Sequence, residues 1–244
     1  MNSQPLHGKS VLLTGGARRV GKGIALALAQ AGADVAITYR NSQAEAAETL
    51  HAIEALGRQA LAVACDVRSE DSVKAAVAAA FGRFNRLDIL VNNAAVFDSA
   101  PLDALTLDQW DAVFETNARG PFLMAREALP HLRAASGRIV NIGSLGGMRA
   151  WAGHAHYCAS KAALHSLTLS MAKAFAPQVS VNCVAPGWIE LEESDAGQAA
   201  HFARKTPMRR NGCVEEVAQA VLFFASGPHF ITGQLLAVDG GLGL

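Results

Sequence analysis

No stretch of this 244-residue sequence is apolar over anything near the roughly 18 residues that a membrane-spanning helix needs. The amino terminus, MNSQPLHGKSVLLTGG, also lacks a cationic segment followed by an apolar run of about 7–15 residues, the mark of a secretory signal. Excess charge of one sign is missing: Lys and Arg together number 21, and so do Asp and Glu. That balance gives neither a nucleic-acid footprint nor a polybasic membrane patch, and it leaves small molecules and copies of the chain as expected partners. Cysteine is scarce. Cys65, Cys158, Cys183 and Cys213 stand alone, with no CxxC pair and no His at metal-ligand spacing, so no metal is expected and the thiols read as buried small hydrophobes in a reducing compartment. A cytoplasmic location is the expectation. No Pro/Gly/Ser-rich linker or charge block divides the chain, which implies one domain over residues 1–244.

What is present is an alternation. Short β-branched runs at Ser10–Thr14, Asp34–Tyr39, Ala60–Asp66, Asp88–Asn92, Arg138–Gly143, Val179–Val184 and Leu235–Asp239 read as strands. Between them Gly21–Ala31, Gln43–Leu56, Ser69–Phe84, Leu107–Leu132, Ala155–Phe175 and Val214–Ala225 carry apolar residues at helical spacing. Repeated βα units of this kind predict an α/β fold, Rossmann-like and doubly wound, around a seven-stranded, mostly parallel sheet. The segment at about 190–212 is charged and without clear periodicity; after the sixth strand it is a candidate substrate lid.

Directly after the first strand stands Thr14-Gly15-Gly16-Ala17-Arg18-Arg19-Val20-Gly21, with a helix opening at about Gly21. Glycines permit a tight turn and close backbone approach, and a helix N-terminus offers unpaired N–H groups to a pyrophosphate. The end of the second strand, Thr38-Tyr39-Arg40-Asn41-Ser42, holds no carboxylate to receive a ribose 2′-hydroxyl, while Arg40 with Arg18 could clamp a 2′-phosphate. NADPH is therefore the cofactor expected. Tyr157 and Lys161 lie four residues apart and share one helix face. A phenol of ordinary pKa about 10 is a poor proton donor near neutrality, whereas a unit charge about 4 Å away at an effective dielectric near 20 is worth about 4 kcal/mol toward its ionisation.

These residues together resemble the short-chain dehydrogenase/reductase family over nearly the whole chain. The turn looks like its TGxxxGxG, with Arg19 where the middle glycine usually stands; that arginine either reaches the pyrophosphate or substrate, as in the pteridine reductase branch, or faces solvent. Asn117, Ser144, Tyr157 and Lys161 match the family's tetrad. The resemblance implies that Ser144 holds a carbonyl, Tyr157 protonates it, Lys161 binds the nicotinamide ribose while tuning Tyr157, and Asn117 holds a water. It further implies cofactor contacts at Gly15, Arg18, Arg19, Val20 and Gly21, at Tyr39, Arg40 and Asn41, at Asp66 and Val67, at Asn93, Ala94 and Ala95 (the NNAG-like segment), and at Pro186, Gly187 and Ile189. The family's PG-x-I-x-T reads Pro186-Gly187-Trp188-Ile189-Glu190-Leu191, so Leu191 replaces a threonine and nicotinamide anchoring shifts toward the backbone near Ile189. A homotetramer is implied by resemblance alone.

Phe97 and Trp188, with Ser144 and Tyr157, are the candidate substrate contacts. Phe97 sits where pteridine reductases stack a flat substrate, or else serves as a core aromatic or lines the site for any apolar substrate; Trp151 and Trp188 are expected to shape the same cleft. His154 and His156 flank Tyr157 either as polar residues of the pocket wall or subunit surface, or as part of a proton path. The expected activity is NADPH-dependent hydride transfer to a carbonyl, a 3-oxoacyl thioester or similar ketone. A pteridine reductase is the alternative, opposed by Ser144 where that branch generally carries Asp and by Ala95 where it commonly has Ser. A non-catalytic dinucleotide-binding regulator is the competing class, opposed by the intact tetrad.

Overall fold

The computed structural model describes residues 4–244. Its strands are β1 (Ser10–Leu13), β2 (Asp34–Tyr39), β3 (Ala60–Ala64), β4 (Ile89–Asn92), β5 (Arg138–Ile142), β6 (Ser180–Pro186) and β7 (Leu235–Val238). The helices are α1 (Arg19–Gln30), α2 (Gln43–Ala55), α3 (Glu70–Phe84), α4 (Leu107–Phe114), α5 (Gly120–Ala134), α6 (Ala155–Phe175), α7 (Ala196–Lys205) and α8 (Val214–Ser226). The strands lie in the order β3-β2-β1-β4-β5-β6-β7, and every neighbouring pair is parallel. The sheet is thus wholly rather than mostly parallel.

Parallel strands joined by helical crossovers must be covered on both faces, which explains why β1 and β4 are buried at every position. On one face Ile24 and Leu28 of α1 and Val217, Val221 and Phe224 of α8 pack on Val11, Leu13 and Val91. On the other, Val73 and Val77 of α3, Met124 and Leu132 of α5 and Met171 of α6 pack on Leu12, Leu90 and Ile139. The chain winds outward from β1 to β3, then returns to β4 beside β1, where Leu13 pairs with Val91. Order reverses there, so the connections that leave the carboxyl ends of β1 and β4 run to opposite sides of the sheet and open a crevice between them.

Two helical expectations need correction. The single helix read over Leu107–Leu132 is α4 and α5 joined through a π-turn at Glu115–Arg119. Pro121 has no N–H for the Asn117 carbonyl four residues back, so the α-ladder cannot run through. The segment 190–212, read as lacking periodicity, contains α7, capped by the Asp195 side chain accepting from Gln198 N at 2.8 Å. Only Ala199 of α7 is buried, which left almost no apolar stripe to detect.

Candidate active site

Gly15 lies at φ +65°, and a Cβ there would come within 3.0 Å of Ala94 Cα. A Cβ at Gly21 would run into the Gly15 carbonyl oxygen. The ends of β1 and β4 are laced together at this point: the Asn93 amide donates to the carbonyls of Thr14 (3.0 Å) and Gly15 (2.9 Å), and the Thr14 hydroxyl accepts from the backbone N–H groups of Asn93 and Ala94 at 3.0 Å each. Helix α1 opens with no side chain capping it and no acidic residue in its first turn, so its N-terminus suits an anion. Arg19 is at φ +52°: the arginine has kept the left-handed conformation that glycine would adopt without strain. Its side chain forms an ion pair with Glu193, from the segment after β6.

A cavity of about 370 Å³ fills the crevice. Gly15, Arg18, Arg19, Val20 and Gly21 line it from the turn, Tyr39, Arg40 and Asn41 from the end of β2, Asp66 and Val67 from beyond β3, and Asn93, Ala94 and Ala95 from beyond β4. Leu191 closes one side. Asp66 is the one carboxylate of this lining, and a forked hydrogen bond from Arg68 (Nη2 at 2.6 Å) holds it below the usual carboxylate range, with Arg40 adding to the effect. Pro186, Gly187 and Ile189 lie outside this lining, at and beyond the end of β6. There Glu190 N donates to Gly212 O (2.9 Å) and Gly212 N to Trp188 O (3.0 Å). This parallel bridge directs the N–H and C=O of Ile189 itself to the opposite edge.

Ser144 leaves β5 as the cap of a short 3₁₀ turn, its hydroxyl accepting from Gly146 N at 3.0 Å. Tyr157 is in the first turn of α6; burial pushes its phenol up, and the Ser144 hydroxyl beside it pulls it the other way. Lys161, one turn on, is buried and donates from Nζ to Ile142 O at 2.7 Å, and burial draws its pKa down to about 8. Its Nζ lies 5.8 Å from the centroid of the Tyr157 ring. Asn117, wholly buried in the π-turn, donates to Val96 O (2.9 Å) and Ser160 Oγ (3.1 Å) and accepts from Val96 N (2.8 Å). Ser160 Oγ in turn donates to Tyr157 O at 2.8 Å. The cavity wall at Val96 is thus tied to the turn that carries Tyr157.

Aromatic rings surround the phenol. Phe97, 61% exposed, stacks on His154 (4.5 Å, 25°) and meets Tyr157 edge-on (4.8 Å, 88°). Trp151 lies parallel to Tyr157 at 6.3 Å. Trp188 stacks instead on Phe202 at 4.2 Å, which ties it to α7. His154 packs between Phe97 and Trp151, whereas His156 is fully buried and so is not a surface residue.

A family model described as enoyl-(acyl carrier protein) reductase matches residues 15–243. A 3-oxoacyl-[acyl-carrier-protein] reductase of Synechocystis is 37% identical over 97% of this chain and 98% of its own. Among solved structures, a short-chain dehydrogenase/reductase of Serratia marcescens superposes with a TM-score of 0.94 at 36% identity, covering 98% of this chain and all of that one. A short-chain dehydrogenase of Burkholderia cenocepacia, solved with NADP, gives 0.92 at 39% identity over 98% and 100%. The chain belongs to the short-chain dehydrogenase/reductase family. It is an oxidoreductase.

Spacing alone did not reveal several groups that hold this short-chain dehydrogenase/reductase site together. His165 Nε2 lies 3.4 Å from Ser144 N, accepting its N–H, and the imidazole fills the slot left by the absent side chains of Gly143 and Gly147. Burial, with Lys161 nearby, brings its pKa down to about 4, so the ring is neutral at pH 7 and able to accept. Asn92 donates to Asn141 (2.8 Å) and Asn141 to Thr168 (2.9 Å), a buried chain from β4 through β5 to α6. The sequence signal for His165 was a second helical turn past Tyr157-x-x-x-Lys161 opposite two glycines; Asn141 and Thr168 carry no local signal.

Proposed function

We propose that this enzyme uses NADPH to reduce a small ketone, with a 3-oxoacyl thioester as the first substrate to test. The observation that carries this reading is Tyr157 set against the buried Lys161, 5.8 Å from its ring, in a fold whose crevice bears Arg18 and Arg40 and, at the end of β2, no carboxylate. The cofactor fits on this chain's own geometry: glycines where a Cβ would block the turn, an uncapped helix N-terminus for the pyrophosphate, and two guanidinium groups for a 2′-phosphate. The NADP-bound Burkholderia relative and the name of the Synechocystis relative support cofactor and substrate class respectively.

The bound dihydronicotinamide supplies the hydride. The Ser144 hydroxyl accepts from Gly146 N and keeps its own proton to donate to the substrate oxygen. Tyr157 gives its phenolic proton to that oxygen as negative charge develops, the general-acid step. Burial opposes the phenolate left behind, and the buried Lys161 ammonium, with one donor on Ile142 O, has donors remaining for it and for the ribose. The Asn117 side chain is spent on Val96 and Ser160, so a water that returns the proton falls to its main-chain carbonyl, which Pro121 leaves without an α-helical donor. The N–H and C=O of Ile189 are the groups for the carboxamide. A pterin substrate is the second reading, favoured by the exposed Phe97 ring set against Tyr157. We also read the enzyme as cytoplasmic and homotetrameric; four unpaired thiols fit a reducing compartment.

The test is NADPH oxidation with an acetoacetyl thioester, a dihydropterin and small diketones. Tyr157→Phe should lower turnover by about 100-fold or more while leaving the NADPH dissociation constant within about threefold, because it removes only the proton donor. Substantial residual turnover by that variant would sink the assignment, and dihydropterin reduction without thioester reduction would select the second reading.

A further inference from the structure

His156 immediately precedes Tyr157, is wholly buried, and has neither ring nitrogen hydrogen-bonded. A buried polar ring without partners is destabilising, and a phenyl ring would fill the same space without that cost. The position therefore asks for a role. Its Nε2 is 3.6 Å from Asp98 Oδ2, just beyond a hydrogen bond. Asp98 follows Phe97, whose ring meets Tyr157 edge-on, and the same carboxylate oxygen accepts from Gln109 Nε2 of α4 at 3.3 Å.

The rest of this segment is pinned to the start of α6 and the turn before it. His154 Nδ1 donates to Asp98 O at 2.9 Å, Ala100 N donates to Gly153 O at 3.0 Å, and Ser99 Oγ donates to the same carbonyl at 3.1 Å. Asn117 holds the segment's other end through Val96. Every tie but one is thus a made hydrogen bond. The open one joins the residue beside Phe97 to the residue beside Tyr157.

We propose that His156 is a positioning residue: by closing on Asp98 it fixes Phe97 over Tyr157 and so sets the width of the slot into which the substituent of the ketone passes. A shift of less than 1 Å completes the hydrogen bond, well within the adjustment expected when a ligand enters a cleft. The kinetic part of this inference rests on Phe97 being a substrate wall; the structural part does not.

The experiment uses the full chain. In His156→Phe the packing is kept and the donor removed. Melting temperature should stay level or rise, while amide exchange at Ser99 and Ala100 speeds up fivefold or more. With an acetoacetyl thioester, KM should rise at least threefold with kcat within twofold, and His156→Gln, whose amide N–H can reach Asp98, should restore both exchange and KM. Asp98→Ala, altering a carboxylate that is 38% exposed, reports from the other side if the buried variant folds poorly; it should raise KM and speed exchange at Ala100, the reporter for this variant because Ser99 N donates to Asp98 Oδ1 itself at 2.9 Å. Unchanged exchange at Ser99 and Ala100, or faster exchange accompanied by a fall in melting temperature, overturns the proposal. So does a KM that responds to Phe97→Ala and not to His156→Phe. If Phe97→Ala itself leaves KM unmoved, the wall reading fails, and the exchange arm alone decides the role of His156.

Discussion

Lys161 carries the most expensive charge in the site, a buried ammonium with one carbonyl acceptor. A pKa brought from 10.5 down to about 8 corresponds to a charging cost on the order of 3 kcal/mol. Because the folded value lies below the unfolded one, the unfolded chain holds more protons between pH 8 and 10.5; the penalty is full below pH 8 and fades as pH climbs through that window. Lys161→Met should therefore abolish turnover and yet be more stable at pH 7, by about 1–3 kcal/mol once the lost hydrogen bond is subtracted. The gain should shrink toward pH 10.5. Denaturant titrations at pH 7 and pH 10 test this, and a variant less stable than its parent at pH 7 would refute it. Arg40 poses a simpler question. It lines the cavity with Arg18 where a carboxylate would select the other dinucleotide. Replacing it by Glu trades a charge-assisted hydrogen bond for repulsion, so Arg40→Glu should lower the NADPH-over-NADH ratio of kcat/KM by about 10- to 100-fold. Equal efficiency with both cofactors in the parent enzyme would remove the premise.

The turn between β1 and α1 stores strain at one residue. Left-handed backbone costs a non-glycine residue roughly 1–2 kcal/mol, and Arg19 holds φ +52°. Arg19→Gly should raise stability by about 1 kcal/mol, seen as a higher urea midpoint at unchanged slope, because the exposed pair with Glu193 that it loses contributes little. A lowered midpoint would mean that the arginine side chain contributes more than its backbone costs. This turn was legible in the sequence because its chemistry is local: glycines, a strand before it and a helix after it. The placing of Tyr157 and Lys161 together was legible for the same reason, four residues on one helix face. Ser144 and Asn117 needed a family pattern, since their partners Tyr157 and Ser160 come from another element. The π-turn was missed although Gly120-Pro121 stood inside the predicted helix, because apolar periodicity continues across it into α5. Helix α7 was missed for the opposite reason: a helix that buries a single alanine has nothing periodic to display.

At the level of the whole molecule, the sheet ends on an edge that is unusual for a finished surface. β7 pairs only with β6, and its residues Leu235 and Leu236 are 39% and 40% exposed. Phe223 of the adjacent α8 is also exposed. An apolar edge strand with no charge to guard it invites pairing with another chain. The end of β7 and the residues after it also hold the neighbouring segments: Met208 N donates to Gly240 O at 3.2 Å, and Gly187 N to Val238 O at 2.9 Å. Covering this edge would thus steady both the turn before Ile189 and the segment after α7. Leu236→Lys sets a charge into the edge, and light scattering on the purified protein should show the proposed homotetramer giving way to smaller species. If assembly supports the lid in this way, the dissociated variant should bind NADPH less tightly by about threefold or more, since its backbone contacts near Ile189 lose their support. A parent enzyme that is monomeric at micromolar concentration would overturn the assembly reading, and dissociation without any change in NADPH binding would separate the edge from the site.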